Sequence, residues 1–167
     1  MCLRAEVADA YLRIYNDSPI QISSRRGNAL LSGEDVEMAY VACNIGLGMG
    51  IFPELMLTHL IPKERVAAEY LLRLYEGTAT SDALLAHKWE GLTPKPVLRP
   101  RMVMAMLKNL VMRRGVDRRM YFAKLRGHAR ARRIILSSQD TSFRGGRAGG
   151  GLASSQLASP GKPRVAR

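Results

Sequence analysis

Charge is divided very unevenly along this chain. Residues 1–98 carry 9 Lys/Arg against 12 Asp/Glu, a net of −3; residues 99–167 carry 17 against 2, a net of +15. The division predicts a mildly acidic folded region followed by a basic arm that meets an anionic partner. With 167 residues, 47% of them apolar, the chain is long enough for one proper core. Cys2 and Cys43 are too few for a disulfide framework and read as reduced thiols in a cytosolic setting, Cys43 in the core. Met1–Arg13 alternates charged with apolar residues and lacks the apolar run of a signal peptide. The longest apolar stretch, Met102–Met112, is interrupted by Lys108 and Asn109, and a spanning helix takes about 20 apolar residues. No segment is expected to cross a membrane.

Periodicity and punctuation give the organisation. Val7, Ala10, Tyr11 and Ile14 fall at helical spacing, and Asn16-Asp17-Ser18-Pro19 forms a turn after them. A second helix is predicted over Glu34–Ile45, with Val36, Ala39, Tyr40 and Cys43 on its buried face and Gly46 at its C-terminal stop. The short apolar run Glu54–Leu60 reads as a strand. Pro62 suits a first helical turn, and Val66, Tyr70, Leu74 and Tyr75 continue a stripe, with Glu69 and Arg73 spaced for mutual support. Gly77 is expected to end that helix; a shorter one, Ala83–Trp89, follows the cap candidates Thr80, Ser81 and Asp82. Pro94, Pro96 and Pro100 mark a stiff linker. Two basic helices are predicted beyond it, Arg101–Arg114 and Asp117–Leu136, separated by Gly115. From Ser137 onward the composition is too rich in Gly, Ser and Arg to fold alone. The domain division is therefore 1–93, 94–136 and 137–167.

Chemistry concentrates at Leu31-Ser32-Gly33-Glu34-Asp35-Val36-Glu37, three carboxylates within four residues at a helix start. One explanation is structural: Ser32 and Asp35 have capping-box spacing, and acidic groups suit the positive end of a helix dipole. Another comes from the order of segments. Gly33-Glu34-Asp35, a helix, a glycine-rich turn, an apolar run to His59, and then His59-Leu60-Ile61-Pro62-Lys63-Glu64-Arg65 resemble the acceptor-side half of family 2 glycosyltransferases of the GT-A type. The opening Met1–Val7 is similar to the segment after that family's metal-binding strand, so the resemblance spans about residues 1–90.

The resemblance implies an α/β, Rossmann-like GT-A domain present in part, mostly helical as it stands, with a basic helical extension and a disordered tail. It implies transfer of a sugar from a nucleotide-sugar donor to a glycan or lipid-linked acceptor. Asp35 would be the general base, Glu34 would shape the acceptor pocket, Arg65 would meet phosphate oxygens, and His59 would join a divalent cation, Mn²⁺ or Mg²⁺. For Arg65 an ion pair with Glu69 is an equal alternative, and for His59 a hydrogen-bonded structural role. No Asp-x-Asp motif and no βαβ pattern occur, so the donor-binding half is expected to lie outside this chain, and the chain alone to be inactive. The basic helices 101–136 would rest on an anionic membrane surface or cover the acceptor site, in a cytoplasmic protein peripheral at the inner face of the membrane. The rival function is a non-enzymatic module binding nucleic acid through residues 99–167.

Overall fold

In the computed structural model the described residues are 3–22, 30–50, 53–54, 56–96 and 100–145, with side chains described to residue 139. The protein is mostly helical, and among the described residues there is no strand. Among the described residues five helices follow in order: α1 (Ala5–Asp17), α2 (Glu34–Asn44), α3 (Ala68–Glu90), α4 (Pro100–Met112) and α5 (Gly115–Gly145). A single 3-10 turn, Lys63–Val66, precedes α3.

The first helix follows its periodicity, with Val7, Ala10 and Tyr11 buried and Ile14 packed against them. Helix α2 also ends as predicted. Gly46 takes a positive φ, its N–H meets the Cys43 carbonyl, and the Leu47 N–H meets that of Ala42, which satisfies two otherwise orphaned acceptors. Its buried face differs from the prediction. Val36 is 46% exposed, and Glu37, Val41 and Ala42 are the buried residues. The face is turned by Glu37, which goes inward to an ion pair instead of outward to water. Cys43 is a free, half-buried thiol, and Cys2 lies outside the described residues.

Residues 56–62 form no strand. Met56, Leu57 and Leu60 are 84–90% exposed, and no neighbouring strand exists among the described residues to accept their backbone groups. Leu55 lies outside those residues.

Gly77 does not break α3, which runs unbroken through the expected start of a second helix. The missing side chain serves packing: a Cβ there would collide with the Leu30 carbonyl, where the incoming chain crosses the helix. The same device recurs on α5. A Cβ at Gly127 would fall 2.6 Å from the Glu76 carbonyl oxygen and 2.9 Å from the Ala79 Cβ. Thr80 fixes the crossing, its hydroxyl donating to the Gly127 carbonyl at 3.2 Å and sharing the Glu76 carbonyl at 2.8 Å.

Helix α5 packs along α3 and completes the core there. Ala131 and Ile135 lie with Ile20, Ile22, Ala83, Leu84 and Leu85. The proline segment is tied to it as well, since the Arg132 guanidinium donates to the Pro94 carbonyl at 2.9 Å. Helix α5 also continues to Gly145 instead of ending near Leu136, while residues 146–167, the bulk of the expected tail, lie outside the described set. Trp89 joins the two core clusters, stacked on Tyr40 at 5.5 Å.

Candidate functional site at the start of helix α2

Gly33 is the N-cap of α2, and its φ of 144° is one that side-chain-bearing residues rarely adopt. A Cβ at this position would meet Leu85 at 3.4 Å and Ser81 at 3.5 Å, ordinary packing distances. Glycine is favoured here for its dihedral. The capping box expected from Ser32 and Asp35 does not form. No side chain caps α2; the Ser32 N–H instead donates to the Ser81 hydroxyl at 3.1 Å, and Asp35 Oδ1 accepts from the Val36 N–H at 3.0 Å. The helix start is thereby pinned to α3 from the side.

The third carboxylate of the run completes this anchor. Glu37 is fully buried, and its Oε1 lies 2.6 Å from Lys88 Nζ near the end of α3. The contact is an ion pair by distance, without the angle of a directed hydrogen bond, and Glu37 Oε2 and Trp89 Nε1 have no hydrogen-bond partner among the described residues. Tyr11 on α1 faces the same charge. Its phenol is pushed up to about 12, first by burial and then by the negative charges of Glu37 and Glu34.

Beside this cluster the expected site residues divide into two sets. Asp35 is exposed and Glu34 half-buried, side by side at the positive end of α2. An exposed carboxylate on a rigid, anchored helix start can accept a proton from a hydroxyl brought to it. Arg65 is exposed in the 3-10 turn, with its N–H on the Pro62 carbonyl. The ion pair offered as its alternative is absent, because Glu69 pairs with Arg119 on α5. That pairing also replaces the expected one between Glu69 and Arg73.

His59 is exposed on the irregular segment before Pro62. Among the described residues no three His, Cys, Asp or Glu side chains converge as metal ligands. A hard divalent cation takes about six oxygen-rich ligands, so these residues do not by themselves fit the cation.

Glu37, Lys88 and Ser81 are the residues that sequence reasoning missed. Glu37 stood in the acidic run, but its partners lie about 50 residues away, and no local spacing signals them. No family model, curated protein or solved structure matches this chain.

Proposed function

We propose that this chain is the acceptor-side portion of a family 2 glycosyltransferase, active when joined to a half that binds the nucleotide sugar. The observation that carries the reading is the Gly33-Glu34-Asp35 entrance to α2. Its glycine is favoured by φ, its helix start is fastened to α3 through Ser81 and Lys88, and its Asp35 carboxylate is open to solvent. In this reading Asp35 removes the proton from an acceptor hydroxyl as that oxygen attacks the anomeric carbon, and the nucleoside diphosphate leaves with the bonding pair. Glu34 borders the acceptor and Arg65 meets phosphate oxygens. His59 supplies one ligand to Mn²⁺ or Mg²⁺, the others coming from outside this chain.

The GT-A architecture belongs to the joined protein in this proposal. The exposed apolar segment 56–62 is then an edge that pairs with a sheet of the donor half. Placement at the inner face of a membrane is supported by α4. No helix among the described residues is long and apolar enough to cross a membrane. Helix α4 instead turns Met104, Leu107 and Val111 outward, each more than half exposed, with Arg101 and Lys108 beside them.

The reading is tested by joining the chain to a donor-binding half and measuring nucleoside diphosphate release from a panel of nucleotide sugars. Acceptor-dependent release is expected with at least one donor. Absence of acceptor dependence across the panel, in a folded protein that binds donor, counts against transfer.

A further inference from the structure

Grooves run on both sides of the contact between α3 and α5. One is a cleft of about 470 Å³ where Arg73, Arg118, Arg119 and Arg126, with Glu69 among them, surround a floor of Leu72 and Phe122. Residues 118, 119, 122 and 126 share one face of α5 by helical spacing, opposite residues 69, 72, 73 and 76 of α3.

The four guanidinium groups are not equally neutralised. Arg119 pairs with Glu69, and Arg126 Nε lies 2.7 Å from Glu76 Oε2. Arg73 and Arg118 have no hydrogen-bond or ion-pair partner among the described residues. The carboxylates beside the cleft, Glu69 and Glu76, are taken up by Arg119 and Arg126, so four arginines stand against two acids there. Like charges held this close repel, and an anion between them relieves the repulsion. Guanidinium forks match the tetrahedral oxygens of phosphate, two donors to a group. Leu72 is buried and Phe122 half-buried, so the floor is apolar and lowers the local dielectric around such a contact.

We infer that this cleft binds a phosphate group, gripped by Arg73 and Arg118, with Arg119 and Arg126 adding positive charge while held by their carboxylates. The phosphate belongs either to a soluble ester or to a lipid headgroup. The inference goes beyond sugar transfer and does not depend on it.

The test uses the full 167-residue chain and two probes, pyrophosphate by titration calorimetry and phosphatidylcholine vesicles with or without phosphatidic acid by co-sedimentation. Two double variants remove the same charge: Arg73→Gln with Arg118→Gln inside the cleft, and Arg130→Gln with Arg133→Gln on exposed positions of α5 outside it. Circular dichroism checks that both fold. The cleft variant should lose about tenfold or more in affinity, the scale of one lost charge-assisted hydrogen bond, and the outer variant about twofold or less. Saturable pyrophosphate binding with this pattern identifies a soluble phosphate; the pattern on phosphatidic acid vesicles alone identifies a lipid headgroup. Equal losses in the two variants, or no saturable binding of either probe, would overturn the site.

Discussion

Glu37 is fully buried with Lys88 as its ion-pair partner, so removing the lysine alone strands a charge in the core. Lys88→Met is expected to cost about 3–5 kcal/mol by urea unfolding, whereas Glu37→Leu combined with Lys88→Met should recover most of that loss. A double variant no more stable than the single one would show that the stranded Glu37 charge is not the source of the loss. Two other groups, Tyr11 and His128, make stability depend on pH. Tyr11 is raised to about 12, so between roughly pH 10 and 12 the unfolded chain has released a proton that the folded one keeps. Stability therefore falls as pH rises through that window, and Tyr11→Phe should flatten the fall. His128 shifts the other way, lowered by burial and then by Lys124, against an opposing pull from Asp82. Its contribution is complete above the ordinary histidine range and is lost as pH drops through the folded value, where the unfolded state binds more protons. Thermal melts of His128→Gln should show a shallower decline on acidification; an unchanged acid limb would remove His128 from that role.

The helices were legible in the sequence where apolar spacing and caps agreed. Helix α1, the glycine stop of α2 and the break at Gly115 between two basic helices all follow local rules. Helix α3 was misread because Gly77 carries two meanings, a helix breaker by propensity and a point of close approach by packing, and only the fold tells them apart. Segment 54–60 failed in the opposite sense: its composition suits a strand, but a strand exists only with a neighbour to accept its backbone groups. One tight glycine and one open glycine predict a measurable asymmetry. Gly127→Val should destabilise by about 1–3 kcal/mol through forced separation of α3 and α5. Gly48→Ala, where nothing lies within 4 Å of the new Cβ, should stay within about 0.5 kcal/mol. Similar unfolding midpoints for the two variants would mean that the crossing is looser than its contacts indicate.

At the scale of the molecule, the acidic and basic parts of the chain are joined in packing. The buried side of α5 is small and apolar, Ala123, Gly127, Ala131 and Ile135, set within an arginine-rich sequence whose composition hid it. Of the proposed site, the residue types at the start of α2 were readable from spacing, while their anchor to α3 was not, because Ser81 and Lys88 come from a distant element. The chain alone offers an exposed carboxylate, Asp35, and no Asp-x-Asp, and it should not bind nucleotide sugars at micromolar concentrations in calorimetry with Mn²⁺ or Mg²⁺. The most direct test of the proposed role is the transfer rate of Asp35→Asn in the protein joined to its donor-binding half, measured together with donor affinity. The substitution keeps shape and removes basicity, so the rate should fall about 10²–10⁴-fold while donor affinity stays within a few-fold of wild type. Turnover within a few-fold of wild type would contradict the assignment of Asp35 as the base.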